Sequence, residues 1–353
     1  MIVAGAGMGG LVTAVRAREL GLAPVVYEKG TRPGGSMLLS SGVVWRHVDW
    51  DAFRSECQAG DARLQRLVWE RLDDALDWLR SLGAPVVQDE TENPLTTGMR
   101  FDTRRLTERL SSRVKTLRLG EPAPLEAGEP VVLATGGFGG SPDLVARYIE
   151  PASPLRLRGN PWSTGDGLVH GLERGAALST GMAEFYGRNM PDTPWTEAEY
   201  VAAAQLYARR ARIFDEDGVE FFQADDVSWS ETNVVQATAR RPGALAYYLL
   251  NQDALADPGV ASRVGPRIAP GKLPFIAPAG TSAAVRVVAS ITHTIGGLRV
   301  DERARVVRDD GSLVDGLYAA GVDAGGVAAG GYASGLAQAL VLGLVAAESV
   351  AAG

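Results

Sequence analysis

The first thirty residues, MIVAGAGMGGLVTAVRARELGLAPVVYEKG, change period twice. Ile2 to Ala4 form a short apolar run, glycines follow, Leu11, Ala14, Val15 and Leu20 recur at helical spacing, and Pro24 to Tyr27 are apolar again. A buried strand, a tight turn, a helix and a second strand account for that order, so the opening reads as a βαβ unit. From 58 to 83, Leu64, Leu67, Val68, Leu72, Ala75, Leu76 and Leu79 keep one helical stripe that Gly83 ends, which predicts a surface helix over a core. GEPVVLATGGFGG at 128–140 reads as a buried strand running into glycines, and STGDGLVHGLERGA at 163–176 as a turn and a helix.

Residues 185 to 285 are more aromatic and mixed in period, with a strand-like LAYYLLN at 245–251 and a Pro/Gly-rich RIAPGKLPFIAPAG at 267–280. Short strands return in LRVDERARVV and GLYAAG, and the chain closes on an apolar helix over 336–352. The pattern predicts an α/β fold: a discontinuous Rossmann-type domain from 1–150 and 286–353, and an inserted α+β domain over 151–285.

Composition narrows the function. At 353 residues with 46% hydrophobic and 22% charged positions, the chain can bury a large core and belongs with globular enzymes rather than disordered chains. A net charge of −7 and scattered arginines offer no basic face, which argues against nucleic acid. The one cysteine, Cys57, lacks an internal disulfide partner and a CxxC partner for metal, so a reducing, cytoplasmic setting and no metal are expected. MIVAGAG enters a structural motif at once, so no signal peptide is expected, and the 17-residue stretch 336–352 carries Gln338 and Glu348, which is short for a membrane span and fits a buried helix.

GAGMGG places Gly5, Gly7 and Gly10 in the GxGxxG spacing between strand and helix, with Gly9 beside them. A pyrophosphate needs that arrangement: a tight turn, close backbone approach and a helix amino end. Glu28 ends the next strand, 23 residues after Gly5, where a carboxylate can accept hydrogen bonds from both ribose hydroxyls of an adenosine. Together they predict a dinucleotide site.

With those residues in place, YEKGTRPGGSMLLSSGVVW at 27–45 resembles the second cofactor-contact segment of the FAD-dependent fumarate reductase and succinate dehydrogenase flavoprotein superfamily. That superfamily also includes the 3-ketosteroid Δ1-dehydrogenases, the nearest in site pattern. VVLATGGFGG, STGDGL, HTIGGLRVD and GLYAAGVDAGG recur in the family's order. The resemblance implies non-covalent FAD and cofactor contacts at Lys29, Gly34, Gly35, Ser36, Met37, Ser41 and Gly42. It adds Ala134, Thr135, Gly136, Asp166 and Gly321. Asp166 is also suited to capping a helix beginning at Gly167. The family's acid or amide after LYAAG is Val322 here, which shifts the expected flavin contact to Asp323. The final helix is expected to start after Gly335 and to turn the free N–H groups of Leu336, Ala337 and Gln338 toward the flavin. Between RFDTRRLTERLSSR and VVLATGG only 17 residues, VKTLRLGEPAPLEAGEP, are available, so the family's three-stranded meander is expected to be minimal or absent.

The resemblance also bears on the substrate. Dicarboxylate reductases of the family use arginines for two carboxylates and for proton donation, and their Asn-Arg pair before the last glycines is Gly331-Tyr332 here. The ketosteroid-dehydrogenase pattern GND…GGxYPGxG aligns without a gap to GVDAGGVAAGGYASGL. It implies that Tyr332 is the catalytic tyrosine and that the N–H of Leu336, four residues on, is the second donor to a substrate carbonyl. His293 in ITHTIGG is the one histidine inside a matched block and is expected to touch substrate or relay a proton. Tyr186 and Arg188 are expected to line the substrate pocket, in a domain that caps it. His47 and His170 carry no matched role. The reading is an oxidoreductase acting on a C–C bond next to a carbonyl, with a small apolar substrate and a separate electron donor or acceptor. Its rivals are a flavin-dependent isomerase or cyclase, and a non-catalytic flavin-binding protein.

Overall fold

The computed structural model describes residues 1–126 and 128–353, and the chain divides into two compact units. The first is built from 1–144, 159–184 and 293–353, the second from 145–158 and 185–292.

In the first unit, a six-stranded sheet has β1 (Ile2–Ala4) near its centre. On one side lie β2 (Val25–Glu28) and β6 (Thr116–Leu119); on the other lie β7 (Val131–Leu133), β16 (Leu313–Ala319) and the edge strand β15 (Arg305–Val307). All pairings are parallel except β15 with β16. Every residue of β1 and β7 is buried, as expected of strands covered on both faces. The helix Met8–Glu19 makes the crossover from β1 to β2.

A separate antiparallel sheet joins β3 (Val43–His47), β5 (Thr96–Phe101) and β4 (Val86–Gln88). The stripe at 58–83 becomes the helix Ala62–Ser81, capped by Asp61, whose carboxylate accepts the Arg63 N–H at 2.9 Å. The short helix Trp50–Glu56 before it was not legible as a period. Between β6 and β7 no strand occurs among the described residues, and β6 pairs directly with β2.

The final helix, Gly335–Ala352, is apolar on all sides. Among the described residues it alone has the length and apolarity to cross a membrane, yet 61% of it is buried inside the protein. A Cβ at Gly343 would stand 2.8 Å from Gly9 O, and Thr13 Oγ1 donates to both Gly9 O at 2.8 Å and Gly343 O at 3.0 Å. Bare backbone at both glycines lets the final helix lie directly on the first.

The second unit is organised on β12 (Leu245–Leu250), antiparallel to β10 (Arg212–Phe214) and to the long β14 (Ala283–Thr294). The strands β8 (Arg156–Leu157), β9 (Phe185–Pro191), β11 (Glu220–Phe222) and β13 (Arg267–Ile268) complete the sheet. All six β12 residues are buried because both faces are covered. Ala246, Tyr248 and Leu250 enter one cluster, and Leu245, Tyr247 and Leu249 the other, the two-residue alternation of a strand.

Candidate active site

The glycines of GAGMGG divide by what surrounds them. A Cβ at Gly5, whose φ is +106°, would lie 2.1 Å from Ala134 O, and one at Gly10 would lie 1.9 Å from Gly5 O. Those two serve the turn and the helix packing. A Cβ at Gly7 would meet nothing within 4 Å, while one at Gly35 would stand 3.2 Å from Gly7 Cα. The helix Met8–Glu19 has no acidic residue in its first turn, and its first internal bond is Leu11 N–H to Gly7 O at 3.0 Å. The N–H groups of Met8, Gly9 and Gly10 therefore stand outside the helix ladder beside an open, Cβ-free surface. That cradle suits a pyrophosphate, whose charge the helix amino end favours.

Glu28 is only 6% exposed. Its Oε2 accepts the Ala6 N–H at 2.9 Å and its Oε1 the Gly30 N–H at 2.8 Å, so the carboxylate is held at the mouth of the glycine turn. Lys29 Nζ reaches Asp166 at 2.8 Å and also hydrogen-bonds Thr164 Oγ1. The helix there begins at Asp166, one residue earlier than expected, and its N-cap is Gly165 in the left-handed region at φ +89°. Asp166 is thus a first-turn residue whose carboxylate is held by Lys29 and by Thr164 Oγ1 at 2.9 Å, rather than the cap.

Gly34 lies at φ +107° and donates to Ala6 O at 2.7 Å, with Ser36 half-exposed just beyond. Met37 is buried in the core. Ser41 is exposed, and Gly42 packs so closely on Phe101 that a Cβ would come 2.2 Å from its carbonyl oxygen.

Asp323 is 1% exposed, and its carboxylate accepts from Thr135 N, from Thr135 Oγ1 at 3.1 Å and from Gly137 N at 3.0 Å. Burial raises its pKa, and those donors pull the other way. Its oxygens are spent on the loop after β7, which holds Gly136 at φ +91°. Gly321, at φ +64°, lies against Gly9, where a Cβ would be 3.3 Å from Gly321 N.

The final helix begins at Gly335 with Ser334 as its N-cap, which corrects the expected start. Ser334 Oγ accepts the Ala337 N–H at 3.2 Å, and Ser334 O accepts the Gln338 N–H at 3.1 Å. Ala337 and Gln338 therefore do not present free N–H groups; those of Gly335 and Leu336 remain outside the ladder. The Gln338 side chain instead ties the helix to Gly321 O at 2.9 Å and Ala324 O at 2.5 Å. The cap was readable as a serine before an apolar helical run.

Of the residues expected to be catalytic, His293 lies against this helix start. A Cβ on Gly335 would stand 3.1 Å from His293 Nε2, and His293 Nδ1 lies 3.0 Å from Thr294 O. Tyr332, three residues before Gly335, is half-buried with its ring centroid 5.2 Å from that of Trp45. His47 does have a role: its Nε2 lies 3.3 Å from Tyr332 O.

In the second unit, Tyr186 and Arg188 form their own cluster. The Arg188 guanidinium lies 4.8 Å from the Tyr186 ring centroid and donates to Ser230 O. Next to Ser230 stands Glu231, at φ +56°, accepting the Ala208 N–H at 3.1 Å. Burial raises its carboxyl to about 7. Sequence reasoning missed Glu231 because no periodicity marks a single residue in the left-handed region.

A largely parallel sheet with a glycine cradle and a buried carboxylate at the end of its second strand defines a Rossmann-type dinucleotide-binding fold. The chain matches the FAD binding domain family over residues 1–116 and 107–336 and belongs to it; it is an FAD-dependent oxidoreductase. It is similar to the probable fumarate reductase Ifc3 of Shewanella frigidimarina (strain NCIMB 400), 23% identical over 452 aligned positions that take in 99% of this chain and 74% of that protein. Its fold is similar to the open conformation of a flavocytochrome c3 fumarate reductase, with TM-score 0.75, 19% identity, and coverage of 99% of this chain and 78% of that one. It is equally similar to 3-ketosteroid-Δ4-(5α)-dehydrogenase from Rhodococcus jostii RHA1 in complex with 4-androstene-3,17-dione, with TM-score 0.75, 17% identity and coverage of 99% and 96%.

Proposed function

We propose that the protein catalyses dehydrogenation, or the reverse reduction, of a C–C bond adjacent to a carbonyl in a largely apolar substrate. The observation that carries this reading is the start of the final helix, where His293 lies against Gly335, the N–H groups of Gly335 and Leu336 stand outside the ladder, and Tyr332 precedes the first helical residue by three positions. FAD, when bound, supplies a hydride acceptor or donor at N5. The glycine cradle and Glu28 would hold its pyrophosphate and adenosine ribose.

Tyr332 and the Leu336 N–H would hold the substrate carbonyl oxygen. Negative charge develops there when the α-carbon gives up its proton or when an enone accepts a hydride, and a phenol and a fixed N–H favour it at both stages. The helix amino end adds to that stabilisation. His293, against Gly335, is placed to contact substrate or to relay the proton. Small dicarboxylates suit the position poorly, because Tyr332 stands where the resemblance puts an arginine. Gly331 beside it admits no side chain, since a Cβ there would come 2.0 Å from Glu56 O.

Anaerobic mixing of the FAD-loaded protein with saturated cyclic ketones, and of the reduced protein with cyclic enones including 4-androstene-3,17-dione, tests the reading through flavin absorbance. Net reduction or reoxidation is expected. Product without net redox change would point to an isomerase, and no response to either series would sink the proposal.

A further inference from the structure

Tyr332 lies in a stretch that should hold no fixed conformation by itself. Gly330 and Gly331 precede it, Gly330 sits at φ +89°, and residues 332–334 belong to no helix or strand. Glycine-rich backbone loses much entropy on ordering, so something must hold the tyrosine's peptide.

Three contacts do so. Glu184 Oε2 accepts the Gly330 N–H at 2.7 Å, and Gly331 is pressed against Glu56 O. The Tyr332 C=O accepts from His47 Nε2 at 3.3 Å. A residue 285 positions distant in sequence thus holds the carbonyl of the peptide that follows Tyr332.

The imidazole is itself firmly held. His47 is 3% exposed and stacks on Phe53 at 5.2 Å with an interplanar angle of 19°, while Trp45 meets it edge-on at 5.4 Å. Its own carbonyl accepts the Trp69 Nε1–H at 2.9 Å. Burial lowers the imidazole's pKa and the bond to Tyr332 O offsets part of that; because a carbonyl can only accept, the proton must sit on Nε2. Cys57 is fully buried, and burial first, then the charge of Glu56, push its thiol up to about 12. It is a buried, inert thiol and no nucleophile.

We propose that His47 is a positioning residue for Tyr332, holding its carbonyl so that its ring is presented in one orientation at the start of the final helix. This rests on the reading that Tyr332 touches substrate. Once the peptide is fixed, a tyrosine has two torsions left, and packing against Trp45 restricts them. Released, the hydroxyl would sample positions an ångström or more away, a displacement that costs on the order of 10²-fold in rate.

The test uses the FAD-loaded full chain carrying His47→Phe, which keeps the stacking and removes the donor, or His47→Gln, whose amide nitrogen reaches as far as Nε2. Two readouts are taken. Hydrogen exchange of a peptide covering 329–334, read by mass spectrometry, reports the clamp without any substrate. The rate at which 2-cyclohexen-1-one reoxidises the reduced flavin reports the tyrosine.

His47→Phe should speed exchange in 329–334, leave FAD affinity unchanged and slow reoxidation about 10–100-fold, with KM little moved; His47→Gln should restore both readouts to within about threefold. In a Tyr332→Phe background the His47→Phe change should add less than about twofold, because the two act as one unit. Unchanged exchange in His47→Phe, or a full additional loss on top of Tyr332→Phe, would overturn the proposal. If His47→Phe does not fold, failure of His47→Gln to preserve exchange protection would overturn it equally. Loosened exchange together with an inconsequential Tyr332→Phe would instead leave the clamp standing and remove the catalytic reading.

Discussion

His293 Nε2 lies so close to Gly335 that a Cβ placed there would stand 3.1 Å away. The glycine at the first position of the final helix is therefore the floor on which the imidazole rests. Gly335→Val should retain FAD and the fold, since the site is half-buried and at a helix end, yet displace His293. Turnover should fall about tenfold or more, in line with the loss of a positioned acid or base. Turnover unchanged in the valine variant would separate His293 from the reaction.

Tyr332→Phe removes one oxygen and no packing. Losing a single donor to a developing oxyanion typically costs about 10²–10³ in rate. Single-turnover flavin reduction or reoxidation should slow by that factor while substrate binding and FAD affinity hold. A rate within about twofold of the parent would reduce Tyr332 to a packing residue.

The Glu28 carboxylate sits at the mouth of the glycine turn, held by the Ala6 and Gly30 N–H groups. Hydrogen bonds to a charged group contribute about 1.5–3 kcal/mol, so Glu28→Ala should raise the Kd for FAD roughly 10–100-fold, and Glu28→Asp less. Flavin fluorescence titration reads this directly. An alanine variant that binds FAD as tightly as the parent would move the ribose contact elsewhere.

Fumarate should be a poor substrate. A carboxylate set down without a cationic partner costs several kcal/mol, and the arginine expected beside the last glycines is Tyr332. A kcat/KM for fumarate at or above about 10⁴ M⁻¹s⁻¹ would contradict the apolar-substrate reading.

Glu231 gives a pH-dependent stability. Its carboxyl is raised from the ordinary 4.5 to about 7 chiefly by burial, against the Ala208 N–H and the charges of Arg188, Arg209 and Arg263. Between those values the unfolded chain is ionised there and the folded chain is not, so this group's contribution is full below 4.5 and is lost as pH rises to about 7. Glu231→Gln keeps the acceptor and removes the titration. It should melt a few degrees above the parent at pH 8, where about 1 kcal/mol shifts Tm by 2–4 °C, and the gap should close toward pH 4.5. A gap constant across pH would assign the cost to something other than ionisation.

Some of this protein was settled by local pattern. β1, β2 and the helix between them follow from strand and helix periods written within thirty residues, and Gly5, Gly7 and Gly10 with Glu28 mark a dinucleotide site because their spacing encodes one turn. Only 11 residues separate β6 from β7, and the shortness of the stretch that holds them was likewise readable in the sequence. Such features depend on neighbours along the chain, and neighbours along the chain are what a sequence displays.

Tertiary structure decided the rest. His47 carries no motif, yet it holds the Tyr332 carbonyl across 285 positions of sequence, because β3 folds against the residues before the final helix. Asp323 turned its carboxylate onto the Thr135–Gly137 loop because that loop's N–H groups needed an acceptor in the core. Ser334 took the cap and with it the Ala337 N–H, moving the unpaired donors to Gly335 and Leu336. In each case a buried polar group found its partner through space, and that requirement leaves no period in the sequence from which it could be read.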